Sequence, residues 1–124
     1  MGDPAGARKP HGFRKEERLR RREEFVRLQG QARRLSTPHF VLMSGTSPVG
    51  RRRFGVTASR RVGNAVRRNR AKRLLRELYR LNRERFHEGR DYVAVARPGL
   101  DEVGLAVLVQ ELLALCRPDG LLRV

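Results

Sequence analysis

The chain has 124 residues, of which 29 are Lys or Arg and 13 are Asp or Glu, so its formal charge at pH 7 is +16. This length fits one domain, and 39% hydrophobic residues are enough to fill one modest core. Cys116 is the one cysteine, which rules out an internal disulfide and makes a reducing cytoplasm the expected location. Because no apolar run reaches the about 20 residues of a membrane span, and no apolar secretion signal opens the sequence, we expect neither a membrane protein nor a secreted one.

The positive charge is concentrated in the middle of the chain. Residues 51–90 contain 15 basic and 3 acidic side chains, whereas residues 91–124 contain 3 and 5. Charge at this density opposes compaction unless a polyanion neutralises it. Nucleic acid is the commonest such partner, so the distribution predicts a nucleic-acid-binding protein.

In chain order, the first half predicts a tail, a helix and two strands. Residues 1–15 are basic and rich in Gly and Pro, which is typical of a disordered tail. A helix is predicted from Glu16 to about Gly30. Alternating apolar residues predict strands over His39–Ser44 and Arg53–Ser59, and the turn residues between them favour an antiparallel pair.

The second half predicts a long helix, a strand and a final helix. Asn64 is a suitable N-cap for a helix that runs to about Phe86. A strand over Asp91–Ala96 follows, and then a helix over Asp101–Cys116 that packs on the sheet and ends before Pro118. The order α-β-β-α-β-α predicts an α+β domain over residues 16–118, with helices covering one side of a sheet and a C-terminal tail at 119–124.

The long central helix has two contrasting faces. Its apolar face is predicted to enter the core and contains Ala71, Leu74, Leu75, Leu78, Leu81 and Phe86. Its polar face extends over about 20 Å, at about 1.5 Å per residue, and contains Asn69, Lys72, Arg73, Arg76, Arg80 and Arg83. No acidic residue lies between Arg67 and Arg76, and Glu77 and Glu84 at the margin have only one or two possible partners each. The face therefore predicts a phosphate-binding surface, which Arg60 and Arg61 in the preceding loop extend.

Catalytic patterns are absent from the sequence. The three histidines are far apart and have no neighbouring Cys or His with metal-ligand spacing. The acidic pairs are adjacent residues, whose side chains point apart on a helix, so they do not form the converging set of a two-metal nuclease. Cys116 lies in an apolar helix and is expected to be a buried, inert thiol. We therefore predict no catalytic residue and no metal ligand.

The run from Ser59 to Glu77 closely resembles the signature of the bacterial ribonuclease P protein family. The family hallmark, Arg-Asn-Arg followed by x-Lys-Arg-x-x-Arg, matches Arg68-Asn69-Arg70, Lys72-Arg73 and Arg76. Weaker similarity extends from about Leu19 to Pro118. The resemblance implies an α-β-β-β-α-β-α two-layer sandwich with a four-stranded sheet, ribosomal-protein-S5-like, with a left-handed βαβ crossover. It adds one strand to those predicted from the pattern, near Arg33–Ser36.

The same resemblance implies a function. In the family, a large RNA with bound Mg²⁺ hydrolyses precursor tRNA and releases its mature 5′ end, and the small protein binds that RNA and the single-stranded 5′ leader. The expected partners are thus the ribonuclease P RNA subunit and precursor tRNA, with no membrane and no obligate protein partner. The protein alone is expected to be inactive, with Mg²⁺ held mainly by the RNA and no organic cofactor.

The resemblance also assigns site residues. The expected contacts to the catalytic RNA are Arg60, Arg61, Arg67, Arg68, Asn69, Arg70, Lys72, Arg73 and Arg76. The expected leader cleft lies between the first helix and a sheet face, with Phe25 and Phe40 among its residues. Gln29 and Met43 stand where many relatives carry aromatic residues. Because stacking contributes about 1–3 kcal/mol per base, this cleft is expected to hold the leader more weakly, or through hydrogen bonds and the Met thioether.

Three alternatives fit parts of the sequence. A structural ribosomal or RNA-chaperone protein would have the same composition, but the signature at positions 68–76 argues against it. A DNA regulator that places a helix in the major groove would need a helix-turn-helix pair or a dimer surface, and neither is evident. A protein-only nuclease would show activity with Mg²⁺ and no RNA.

Overall fold

The computed structural model describes residues 15–31, 33–118 and 120–124, which form three helices and four strands. The helices are α1 (Arg22–Gln31), α2 (Ala65–Leu81) and α3 (Leu105–Leu115), and the strands are β1 (Arg33–Ser36), β2 (Phe40–Thr46), β3 (Arg53–Ala58) and β4 (Arg90–Ala96). Single 3-10 turns lie at Lys15–Glu17, Arg83–Arg85 and Leu100–Glu102. The predicted α+β class and the additional strand near Arg33–Ser36 are confirmed. The predicted tail lies outside the described residues apart from Lys15.

The strand pairing differs from the one that the sequence pattern predicted. The sheet order is β1-β2-β4-β3, so β4 lies between the two strands that were expected to form a hairpin. It pairs antiparallel with β2 and parallel with β3. The run Tyr92–Ala94 is buried throughout, and a strand that is apolar on both faces is stabilised best at the centre of a sheet. The predicted hairpin is therefore wrong, and α2 is the crossover from β3 to its parallel neighbour β4.

One face of the sheet carries the main core beneath α2 and α3. Four aromatic rings form its centre: Phe54 stacks on Tyr79 with ring centroids 4.5 Å apart, and Phe86 meets Phe54, Tyr79 and Tyr92 edge to face. The predicted apolar face of α2 is confirmed for Ala71, Leu75 and Leu78, which are buried. The prediction omitted Tyr79, which is fully buried among the core rings and whose hydroxyl is satisfied by donating a 2.8 Å hydrogen bond to Glu17 Oε2.

Two helices are shorter than predicted: the long helix was predicted to end too late, at Phe86, and the final helix to begin too early, at Asp101. Helix α2 ends at Leu81, where the Asn82 amide binds back to the Tyr79 carbonyl, and Leu81 is 38% exposed. Phe86 is extended and pairs with Leu122. The final helix begins only at Leu105, because the turn Leu100–Glu102 precedes it.

The predicted first helix is interrupted. Arg18 and Leu19 lie beside edge strand β3, and the Leu19 amide donates a 3.0 Å hydrogen bond to the Phe54 carbonyl. This pairing satisfies the open edge of β3 and buries Leu19, so α1 starts only at Arg22. Glu16 to Gly30 therefore does not form one helix.

The predicted C-terminal tail is packed against the domain. Leu121 is 5% exposed and Leu122 is fully buried. The Tyr92 hydroxyl donates a 2.6 Å hydrogen bond to the Leu121 carbonyl, and the Arg123 amide binds the Arg85 carbonyl. Of this segment, Asp119 lies outside the described residues.

Helix α1 covers part of the other face of the sheet, so the helices do not all lie on one side as expected. Leu28 packs there with Leu19, Met43 and Val93 in a second, smaller core. The helix entry approaches β3 so closely that a Cβ on Gly55 would lie 2.8 Å from the Leu19 carbonyl oxygen. Glycine at this position is therefore required by the packing.

A buried network of charges fixes α1 over the sheet. Asp91, which is fully buried, accepts two hydrogen bonds from Arg53, at 2.9 and 2.8 Å, and a third from Arg27 at 2.6 Å. Arg53 also pairs with Glu24 on α1 at 2.7 Å. The hydrogen bonds that Arg53 donates to Asp91 raise the pKa of the Arg53 guanidinium, and its ion pair with Glu24 acts in the same direction. Two of the many arginines therefore serve the fold.

Candidate nucleic-acid interface

The start of α2 and the loop before it form a rigid platform. The Asn64 side chain accepts a 3.0 Å hydrogen bond from the Arg67 amide, which confirms the predicted N-cap. Val62 is 2% exposed and anchors the loop in the core. Gly63 has φ of +145°, and a Cβ there would lie 2.7 Å from Arg67 Cδ. The loop therefore presents the exposed Arg60 and Arg61 from a fixed backbone.

Most of the predicted RNA-contact residues are open to solvent and uncompensated. Six of the predicted contacts are cationic side chains that make neither an ion pair nor a hydrogen bond within the described part of the chain: Arg60, Arg61, Arg70, Lys72, Arg73 and Arg76. Asn69 is exposed beside them, and Arg68 donates a 3.1 Å hydrogen bond to the Gly63 carbonyl. We call this surface, residues 60–76, the basic face. A face that merely carried solvated charge would be expected to intersperse acidic partners.

Arg67 was predicted to contact RNA, but in the structure its side chain binds acidic residues of the protein itself. Its guanidinium donates to Asp101 Oδ2 at 2.7 Å and lies 3.3 Å from Glu102 Oε2. The hydrogen bond from Arg67 lowers the pKa of Asp101, and the same bond raises the pKa of Arg67. This contact ties the start of α2 to the turn before α3, so Arg67 has a structural role.

The basic face is shorter than the sequence suggested. Arg80 pairs with Glu77 at 2.7 Å, and the hydrogen bond lowers the pKa of Glu77. Arg83 pairs with Glu17 at 2.9 Å and lies over the Tyr79 ring. These two arginines were predicted on the same surface, but carboxylates compensate them, so the uncompensated charge ends at Arg76.

Arg76 opens onto a cavity of about 200 Å³ between α2, β3 and the chain segment before α1. Burial lowers the pKa of Arg76, and repulsion from Arg18 and Arg73 lowers it further. Four cations line the cavity above an apolar floor; these are Arg18, Arg20, Lys72 and Arg76, and the floor includes Phe25, Phe54 and Val56. A bound anion would relieve the repulsion among these cations, and a planar nucleotide base could pack against the apolar floor. The sequence signal did not identify Arg18 and Arg20, because only the fold brings them beside α2.

The predicted leader cleft corresponds to the part of the second sheet face that α1 leaves open. Phe25 is half-buried against the second core, and Gln29 is exposed. Met43 is only 2% exposed and forms the floor beneath α1. Two half-buried side chains continue the surface and were not among the predicted site residues, Val41 and Val95.

The structure does not bring Phe40 to this cleft. Successive strand residues point to opposite faces, and Phe40 lies on the face of Leu42 beneath α2 and α3, where it is 1% exposed. Its assignment to the cleft is therefore wrong in this fold. Val41, the next residue, has the side chain that faces α1.

Neither a metal cluster nor a membrane helix is found among the described residues. Across 15–31, 33–118 and 120–124, no three His, Cys, Asp or Glu side chains gather closely enough to hold an ion together. In the same ranges, none of the helices has both the length and the apolarity to cross a bilayer.

The family model for ribonuclease P matches residues 13–118 of the chain. The ribonuclease P protein component of Geotalea uraniireducens is 41% identical over 104 residues, which cover 84% of this chain and 91% of that protein. The corresponding protein of Desulfovibrio desulfuricans is 45% identical over 104 residues, or 81% and 80% of the two chains.

Solved structures agree with the sequence matches. The ribonuclease P protein of Thermotoga maritima superposes with a TM-score of 0.70 at 32% identity, over 80% of this chain and 94% of that one. The Staphylococcus aureus protein, at 22% identity and a TM-score of 0.69 over 79% and 90% of the two chains, shares the fold. The signature on α2, the family match and these relatives together show that the chain belongs to the ribonuclease P protein family.

Proposed function

We propose that the basic face docks on the catalytic RNA of ribonuclease P, and that the cleft beside α1 holds the 5′ leader of precursor tRNA. The observation that carries this proposal is the set of six uncompensated cations at positions 60–76. Guanidinium groups bind phosphate oxygens in a bidentate manner, and their number sets the salt dependence of the affinity. Family membership supports this function over that of a ribosomal or RNA-chaperone protein.

The protein's contribution is positional and electrostatic. It neutralises phosphates at α2 and aligns the leader beside Phe25, while the RNA performs the phosphodiester hydrolysis. We further propose that the assembly works in the cytoplasm, with precursor tRNA as its substrate and no obligate protein partner. The exposed Gln29 and the buried Met43 favour a leader grip with fewer stacked bases and more hydrogen bonding.

The residues of this interface do not fit a magnesium site on the protein. Mg²⁺ prefers carboxylate oxygens and water in octahedral geometry. The acids nearest to the basic face are Glu77 and Asp101, and each is hydrogen-bonded to an arginine. We therefore assign Mg²⁺ to the RNA.

Reconstitution at low Mg²⁺ tests the proposal. The protein is added to its cognate RNA subunit, and cleavage of precursor tRNA is followed as a function of salt. The double variant Arg70→Ala/Arg73→Ala should retain its fold, because both side chains are exposed and unpaired in the described structure. It should lose most of the stimulation, and its log–log salt slope for RNA binding should fall by about 0.7–0.9 for each lost phosphate contact.

The matched control is Arg117→Ala/Arg123→Ala, which removes the same charge from exposed positions in the C-terminal segment. Wild-type protein that does not stimulate cleavage would refute the function. An undiminished Arg70/Arg73 variant would refute the interface. Cleavage by the protein without RNA would show that the catalyst had been misassigned.

A further inference from the structure

A second group of arginines surrounds a cavity on the side of α1 away from the leader cleft. The cavity has a volume of about 250 Å³ and lies at the corner of the sheet where β1 begins and β2 ends. Its cationic lining residues are Arg27, Arg33 and Arg90, and Ser44, Gly45 and Thr46 of β2 complete the wall. We call it the corner cavity.

Two of the three guanidiniums are held in place by buried acceptors. Arg27 donates to Asp91 at 2.6 Å and to the Thr46 carbonyl at 3.3 Å. Arg90 Nε donates to Ser44 Oγ at 2.8 Å, and both Asp91 and Ser44 are fully buried. These bonds occupy only part of each guanidinium, which has five donor hydrogens. Because the remaining donors are already positioned, an incoming anion loses little further side-chain entropy.

The charge at this corner is not balanced by the protein. Arg27 and Arg53 share Asp91, and Glu24 binds Arg53, so these four groups cancel one another. Arg33 and Arg90 then remain as an excess, and neither forms an ion pair in the described part of the chain. Arg33 is exposed at the rim of the cavity.

We propose that the corner cavity is a second phosphate-binding site, separate from the basic face, which receives a backbone phosphate of bound RNA. The proposal rests on the function proposed above and extends it, since a protein with two phosphate sites on different elements can bridge two RNA segments. A concave surface with cationic hydrogen-bond donors that are already partly held in position is well suited to bind a phosphate group. The phosphate could belong to the RNA subunit or to precursor tRNA, and the experiment separates these sources.

The test compares Arg33→Gln/Arg90→Gln with the equally charged control Arg117→Gln/Arg123→Gln in the full chain. Glutamine at position 90 can still donate to Ser44. One arm measures the salt dependence of binding to the RNA subunit, and the other measures the salt dependence with which the assembled RNA–protein complex binds precursor tRNA. We expect one arm to show a slope smaller by about 0.7–0.9 per lost contact than that of the control. The arm that changes identifies the source.

Equal behaviour of the corner variant and the control in both arms would overturn the second site. The Arg70→Ala/Arg73→Ala variant, measured in parallel, distinguishes this result from a failure of the proposed function, because it should lower the slope whether or not the corner cavity binds. If the double corner variant does not fold, as judged by its circular dichroism melt, Arg33→Glu replaces it. That exposed position should tolerate the change, and the reversed charge should weaken binding more than Arg123→Glu does.

Discussion

Arginine performs opposite tasks in two regions of this molecule. Beneath α1, Arg53 is 7% exposed, and each of its three guanidinium nitrogens contacts a carboxylate of Asp91 or Glu24. Along the basic face, Arg70 and Arg73 are exposed and have no partner in the described structure. The first arrangement stabilises the fold at the cost of desolvating charge, and the second leaves charge available for a ligand. Net charge alone therefore overstates the positive charge that is available to a ligand, and the partners of each guanidinium decide its role.

The largest expected effect comes from breaking the buried network. Asp91→Asn keeps the shape of the side chain but leaves Arg27 without a carboxylate and Arg53 with Glu24 alone, and removing one partner of a buried ion pair costs about 3–5 kcal/mol. We expect urea denaturation to show a loss of this size in the free energy of unfolding. Arg73→Gln is the comparison at the basic face and should stay within about 0.5 kcal/mol of wild type. If Asp91→Asn and Arg73→Gln lowered the free energy of unfolding by similar amounts, the arginines of the two regions would not differ in their role.

A smaller effect is expected where α1 meets β3. Gly55→Ala would place a Cβ 2.8 Å from the Leu19 carbonyl and 2.9 Å from Phe25 Cε1, and a backbone atom cannot easily move aside. Overpacking of this kind costs about 1–3 kcal/mol. Displacement of Phe25 should also weaken leader binding while leaving the affinity for the RNA subunit unchanged.

The control for this substitution lies within α1. Gly30→Ala meets no atom within 4 Å, so it should leave stability unchanged or raise it by up to about 1 kcal/mol. A thermal melt of both variants, with leader binding measured by fluorescence anisotropy, would check the pair. If Gly55→Ala is as stable as Gly30→Ala, then α1 is seated less tightly than the structure indicates.

The smallest expected effect concerns Arg67, which lies within the basic face but pairs with Asp101 and Glu102. Its hydrogen bond lowers the pKa of Asp101 below the ordinary value of 3.8. A carboxyl whose pKa is lower in the folded state contributes stability above its unfolded pKa, and loses it as the pH falls through the folded pKa. Wild type should therefore lose stability more steeply than Asp101→Asn when the pH falls below about 4, as seen in melts at stepped pH. If wild type and Asp101→Asn showed the same pH dependence of stability, then Arg67 would not form its ion pair with Asp101 in solution.

The sequence determined the local structure and the main surface of unpaired positive charge. The N-cap at Asn64, the apolar positions of α2 and the run of cations without acids follow from spacing and composition, because helix periodicity and capping act over a few residues. The family signature at positions 68–76 was equally local, and the match to the family confirmed it.

Tertiary structure decided the strand order, the side of the sheet that each residue faces, and the partners of each arginine. β4 lies between β2 and β3, Phe40 faces the main core, while Met43 faces α1, and Arg67 meets Asp101, 34 residues away in the chain. These outcomes depend on contacts between distant segments, whose free energies compete across the whole domain and leave no periodic trace in the sequence. For this reason the cationic lining of both cavities, which combines residues from separate elements, became visible only in the folded chain.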